Sequence, residues 1–167
     1  MLTKLGTRRA KLLAATLVVA ALSTACYGGA AGGGAGGQSL PSAGTARELY
    51  DLTNAERARN GLPALGWNDQ LGQLAQDWSG WMAATGSMTH RDLWATINSP
   101  AFWQFRSLGE NILQGGCGIS AAQMHQAWMN SAGHRANILS GGYNVIGIGV
   151  VCDSAGRVWA TQDFGLI

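Results

Sequence analysis

The sequence predicts an α+β domain. Three helical patterns, with apolar residues spaced three and four apart, occupy 45–60, 69–85 and 120–130, and two β-rich runs joined by a short turn close the chain. Amphipathic helices of this kind need an apolar sheet to cover, and the strongest strand signal comes only after them. With 167 residues, 47% apolar content and seven tryptophans, the chain has material for the core of one ordinary domain.

Residues 1–25 read as an export signal. Lys4, Arg8, Arg9 and Lys11 form a basic start, Leu12 to Leu22 an apolar run, and Ser23-Thr24-Ala25 a small-residue stretch before Cys26. The run of eleven residues is well short of the roughly 20 that a membrane-crossing helix needs. Ser23-Thr24-Ala25 suits ordinary signal-peptidase cleavage, and the same place resembles a bacterial lipobox, with Ser23 where an aliphatic residue is usual. Lipidation of Cys26 would make the membrane a partner through an acyl anchor; ordinary cleavage would release a secreted protein. Either route places the domain outside the cytoplasm.

Residues 26–44 form a glycine-rich tether, with eight glycines between 27 and 44 and too little apolar surface to offset the entropy of ordering. Beyond the leader, seven arginines face nine acids and there is no lysine, a net charge of −2. That balance lacks the electrostatic footprint of a nucleic-acid binder. Three cysteines leave one over in an exported protein. A thioether on Cys26 would use it, so that Cys117 and Cys152 pair and stabilise the fold by roughly 3 to 4 kcal/mol in the chain-entropy picture. Two buried free thiols are the alternative.

Thr45-Ala46-Arg47-Glu48 reads as a capping box opening a first helix, with Leu49, Leu52, Ala55 and Ala58 on its inner face and Gly61 and Pro63 ending it. Asn54, Arg57 and Arg59 are expected to face solvent or a neighbouring loop. A second helix fits Asp69 to Thr85, capped by Asn68, with Leu71, Leu74, Ala75, Trp78 and Met82 inward and Trp81 widening the stripe. Gly86 ends it, and His90 follows four residues later. Between His90 and Gly109 the pattern reads as loop and short helix, with Trp94, Phe102, Trp103 and Phe105 assigned to the core.

Gly115 to Gly118 reads as a tight loop. Ser120-Ala121-Ala122-Gln123 is a second capping box, and its helix turns Met124, Ala127 and Trp128 inward and leaves His125 at the surface or core edge. His134 is expected just past the end of that helix, with Arg135 and Asn137 tying its turn to neighbours. Val145–Val151 and Val158–Phe164, joined by Asp153-Ser154-Ala155-Gly156, form a hairpin.

Leu52-Thr53-Asn54-Ala55-Glu56-Arg57, Gly61 to Leu65, His90, Gly109-Glu110-Asn111-Ile112, Ala127 to Leu139, Ile146 to Val150 and Trp159 to Gly165 resemble, in this order, the motifs of the CAP superfamily, or SCP domain, in its bacterial form. The resemblance covers roughly residues 46 to 166, within a domain placed at 45–167. It implies a three-layer α-β-α sandwich with a central, mainly antiparallel sheet and a cleft on one side. Eukaryotic members carry two histidines and two acids there, some with a divalent metal between the histidines. His90, Glu110 and His134 match three of these positions; the second acid is replaced by Ser131.

Two imidazoles and one carboxylate are the minimum ligand set of an open zinc site, and they equally describe a hydrogen-bonded cluster. The cleft is therefore assigned His90, Glu110, Ser131 and His134, with His90 and His134 as the candidate ligands should zinc bind and no cofactor required. Losing a carboxylate weakens the case for metal. No His-Glu-x-x-His pair, Gly-x-Ser-x-Gly elbow, phosphate-binding glycine loop or Cys-x-x-Cys accompanies the site. The expected function is an exported, monomeric, non-enzymatic binding module for a small molecule, a lipid or sterol among the candidates. The competing readings are a metal-assisted hydrolase with Glu110 as general base, and an adhesion or host-interaction protein acting through its loops. Mass spectrometry of the native mature protein should show its first residue, any acyl group on Cys26, and a two-proton deficit restored by reduction of Cys117 and Cys152.

Overall fold

Alternation along two strands organises the molecule. The computed structural model describes residues 44–167; the export signal, most of the tether and Cys26 lie outside the described residues. The elements are α1 (Thr45–Arg59), β1 (Gly66–Trp67), α2 (Asp69–Thr85), α3 (Leu93–Ile97), a 3-10 turn (Pro100–Phe102), β2 (Ser107–Gly116), α4 (Ala121–Asn130), α5 (Ala132–Ile138), β3 (Val145–Cys152) and β4 (Arg157–Leu166). The sheet runs β1-β3-β4-β2, with β1 parallel to β3 and the other two pairings antiparallel.

Even-numbered residues of β3 and β4, among them Ile146, Ile148, Val158, Ala160 and Phe164, pack with Leu49 of α1, Met124 and Trp128 of α4 and Ile138 of α5. Odd-numbered ones meet the opposite layer: Val145 packs with Leu71, and Trp159 with Met82, both on α2. The period of two thus separates two helical layers and gives the α-β-α sandwich. On the α2 side, Gly147 and Gly149 let helix and sheet approach backbone to backbone. A Cβ on Gly147 would fall inside the α2 backbone at Leu71 and Gly72, and one on Gly149 inside it at Ala75 and Gln76.

The capping reading holds for two helices and fails for one. Asn68 accepts from the Leu71 amide, and the Ser120 side chain and Gln123 form a reciprocal box. Helix α1 instead includes Thr45, and Gly44 precedes it without a side-chain cap. Its inner face is also different from the expected one: Leu49, Thr53 and Arg57 are buried, whereas Ala55 and Ala58 are exposed. The polar residues turn inward because partners await them. Arg57 donates through Nε to the Pro63 carbonyl (2.9 Å) and through Nη1 to those of Ile138 (2.8 Å) and Ser140 (2.7 Å), closing the end of α5 onto α1. Asn54 pairs with the backbone of Leu65, and Arg59 is exposed beside Glu56.

Of the four aromatics assigned to the core, Phe102 and Phe105 are buried while Trp94 and Trp103 are 76% and 83% exposed. The run straddles a short helix and a 3-10 turn, and so cannot present one face. Residues Gly115 and Gly116 end strand β2 before the turn begins. Cys117 and Cys152 form a disulfide, linking the end of β2 to the end of β3.

Arg57→Ala would leave three carbonyls without their donor, and the folded state should lose on the order of 3 kcal/mol in urea denaturation. Gly149→Ala, which forces α2 off the sheet, should cost about 2 kcal/mol or more by the same measurement.

Candidate functional site

Strand β2 forms one edge of the sheet, and the site is built across it. Glu110 pairs with Asp163 of β4 in the ladder, so their side chains leave the sheet on the same face, toward α2. Asn111 points to the other face, toward α1 and α5. The Glu110 and Ile112 carbonyls accept from the Asn137 amide (3.2 Å) and the Trp128 indole (3.2 Å), which occupy part of the strand's free edge.

On the α2 face, Gly86 ends α2 in a left-handed conformation and turns the chain back toward β2. The Trp78 indole donates to the Thr89 carbonyl (3.0 Å), which anchors this return. His90 then reaches Glu110: its Nδ1 donates to Oε1 at 2.8 Å, and the Arg91 amide donates to the same oxygen at 3.1 Å. The histidine side chain is 58% exposed and the glutamate side chain fully buried. In the neutral imidazole, Nδ1 carrying the proton leaves Nε2 as an acceptor.

Arg91 completes the group. Its guanidinium donates to Asp163 Oδ2 (3.1 Å) and to the Leu74 carbonyl (2.9 Å), lies 3.7 Å from Glu110 Oε2, and stacks on Trp78 at 5.1 Å. One cation therefore serves two buried acids. Asp163 is pushed up to about 7, first by burial and then by the neighbouring Glu110, against the pull of Arg91.

On the opposite face a chain of buried amides places α5. Thr53 accepts from Gln162 Nε2 (2.9 Å), Gln162 Oε1 accepts from Asn111 (3.1 Å), and Asn111 donates also to the His134 carbonyl (3.1 Å) and accepts from Asn137 (2.9 Å). Asn111 and Asn137 are positioning groups, and Arg135 ties α5 to the end of α4 through the Met129 carbonyl (3.0 Å). His134 lies just past the end of α4, as expected, and within a further short helix, α5, that Ser131 begins where it ends α4. Its imidazole is held below its ordinary pKa, first by burial and then by His90 across the edge strand.

The three predicted groups thus gather at β2, with Ser131 at the junction of the two helices. Glu110 lies within strand β2. Among the described residues no three histidine, cysteine, aspartate or glutamate side chains are arranged to hold a metal ion. Glu110 is committed to His90 and Arg91, which leaves two imidazoles where an open zinc site needs three protein ligands. The residues do not fit a resident zinc. Sequence reasoning misses Arg91 and Asp163 as site residues, although three consecutive polar residues, Thr161-Gln162-Asp163, inside an otherwise apolar strand are the available signal. Two grooves, of about 460 and 480 Å³, lie between α1 and α4.

The Cysteine-rich secretory protein (CAP) family model matches residues 50–164, and the chain belongs to this family. The uncharacterized protein YkwD of Bacillus subtilis is 34% identical over 135 residues, covering 76% of this chain and 50% of the relative. The chain thus spans half the length of that protein. A solved extracellular protein containing an SCP domain, from Bacillus anthracis, is 29% identical with a TM-score of 0.61, over 74% of this chain and 40% of its own. An outer surface protein of Borrelia burgdorferi has the same fold at 18% identity, with a TM-score of 0.62 over 72% of this chain and 91% of its own.

Asp163 gives the site a pH signature. Its folded-state pKa, about 7, lies above the ordinary 3.8, so its contribution is fully present below about 4 and is lost as pH rises toward 7. The stability difference between wild type and Asp163→Asn, from urea midpoints, should therefore fall across that window. A difference independent of pH would contradict the assignment.

Proposed function

We propose that the protein is an extracytoplasmic, non-enzymatic binding module whose site at the β2 edge takes a small hydroxyl-bearing ligand with an apolar body, such as a lipid or sterol. The observation that carries this reading is the lock on Glu110. A carboxylate that accepts from His90 Nδ1 and the Arg91 amide, with no exposed side-chain surface, is badly placed to activate water. What it does instead is fix His90 with Nε2 as an outward acceptor, suited to a hydroxyl donor. Exposed Met88 and Trp94, two residues before and four after His90, offer apolar flanks.

The export-type leader, the Cys117–Cys152 disulfide and the extracellular relative support a location outside the cytoplasm. Among the described residues no helix is long and apolar enough to cross a membrane. On this reading attachment, where it occurs, is through Cys26.

A fluorescent sterol and a fluorescent fatty acid, titrated separately, test the proposal. Saturable binding of either should weaken about tenfold, roughly 1.4 kcal/mol, in both His90→Ala and His134→Ala. Unchanged affinity in both variants would move recognition to the loops. Stoichiometric zinc in the purified parent, lost in both variants and accompanied by ester or amide hydrolysis, would overturn the binding reading in favour of a metal-assisted hydrolase.

A further inference from the structure

From Leu93 to Phe105 the chain carries no charged side chain, with Asp92 and Arg106 at the two borders. This segment holds α3 and the 3-10 turn, and its two sides differ. Ile97, Phe102 and Phe105 pack with Leu71 and Val145. Trp94 and Trp103 face the other way, 76% and 83% exposed, with Ala95, Pro100 and Ala101 exposed between them. Because Phe102 and Phe105 are seated in the core, Trp103 is held outward on a fixed base. Single exposed apolar residues are ordinary, but two tryptophans on one uncharged segment form a surface suited to contact.

The polar groups of the segment are already spent. The amides of Thr96, Asn98, Ser99, Phe102 and Phe105 donate to carbonyls within 92–102. Thr96 Oγ1, Asn98 Nδ2 and Ser99 Oγ donate to the carbonyls of Asp92, Trp94 and Thr96, each at 2.8 Å, and Gln104 donates to Gln70. Asp92 itself accepts from the Ala95 amide at 2.9 Å. A surface satisfied in this way loses little hydrogen bonding when water leaves it. A sugar would need uncommitted donors beside its aromatic platform, and the side chains here bond within the protein. Tryptophan, with an apolar ring body and one N–H, favours the boundary between hydrocarbon and water.

We propose that the Leu93–Phe105 segment docks the domain on the interfacial region of a lipid bilayer, with Trp94 and Trp103 entering between the headgroups and Arg106 meeting lipid phosphate at the rim. Arg106 is exposed and makes no ion pair among the described residues, and its long stem suits this position. Beyond the leader seven arginines face nine acids with no lysine, so apolar burial rather than anionic lipid supplies the attraction. The sequence before the described residues favours this occupant over a soluble one. An export-type leader runs to Cys26, and 17 residues separate Cys26 from Gly44. Extended, they would reach about 60 Å, more than the roughly 35 Å width of a domain of this size. An acyl anchor on Cys26 would therefore let the tryptophan face meet the same bilayer at high effective concentration. The inference does not rest on the ligand reading at β2, although Trp94 figures in both.

The test uses the full chain labelled with 5-fluorotryptophan and mixed with phosphatidylcholine vesicles. All seven tryptophans lie within the described residues, and single Trp→Phe variants assign their fluorine signals. Sterol-free vesicles keep the ligand proposed for the first site out of the assay. A nitroxide on the lipid headgroup should broaden the Trp94 and Trp103 signals well beyond that of Trp81, which is 42% exposed on α2, and leave buried Trp128 and Trp159 sharp. Trp103→Ser should lower the docking equilibrium read from the Trp94 signal about tenfold, and Trp94→Ser should do the same to the Trp103 signal. Broadening of Trp94 and Trp103 no greater than that of Trp81 would overturn the inference, since the domain would then hang clear of the surface. So would broadening that requires added phosphatidylglycerol, which would make the attraction electrostatic. Shifts of the same two signals with protein concentration in vesicle-free solution would also overturn it, because a second copy would then cover the face.

Discussion

Two acids on neighbouring strands share one cation. Glu110 and Asp163 face each other across the β2 and β4 ladder in a layer that excludes water, and among the described residues the Arg91 guanidinium is the only basic group paired with either carboxylate apart from His90. Buried carboxyls without a partner are costly, so the position of Arg91 is a condition of the sheet's composition. Because Arg91 follows His90 directly, the same contact that neutralises the interior sets the histidine on the surface. Site geometry and core electrostatics are one arrangement.

That arrangement in turn needs α2 to lie close. Arg91 reaches the Leu74 carbonyl and the Trp78 ring, both on α2, and spans from there to β2 and β4. The helix can sit this near only because Gly147 and Gly149 present bare backbone to it. Side chains there would lift α2 and with it the anchor of the His90 loop. On the other face, the Thr53–Gln162–Asn111–Asn137 amide chain does the corresponding work for His134. Each histidine is thus held by its own layer, and the edge strand is where the layers meet.

Much of this is legible in the chain. Asn68 and Ser120 mark two helix starts because capping is local chemistry, and the terminal hairpin announces itself through period-two runs around an Asp-Ser-Ala-Gly turn. His90, Glu110 and His134 emerge from motif order, which carries long-range information that periodicity lacks. The burial of two polar residues has one cause. Polarity assigns Arg57 to solvent or a neighbouring loop and His125 to the surface or core edge; each lies on the buried stripe of its helix, Arg57 at steps of four from Leu49 through Thr53, where it meets the loop carbonyls of Pro63 and Ser140, and His125 one such step from Ala121. Position outweighs polarity at both. Whether a buried polar residue has a partner depends on segments more than eighty residues away, as with Arg57 and Ile138, and no local pattern reports that.

The same distinction bears on Ser131. Its replacement of an acid looks like a simple loss, but the site still has a second carboxyl in Asp163, placed behind Glu110 on the inner side. The two positions are not equivalent. An acid at 131 would sit at a helix junction, with its charge available to a cation or to an imidazolium. Asp163 is 1% exposed and its carboxyl is raised to about 7, so near neutrality much of it carries its proton and little net charge. Glu110 is offset by Arg91, and His134 is held toward its neutral form. The surface presented at β2 is then close to electrically neutral, with an imidazole acceptor at its centre. A surface of that kind gives little to hold a dication, and it loses little by being covered with an apolar ligand that carries one hydroxyl.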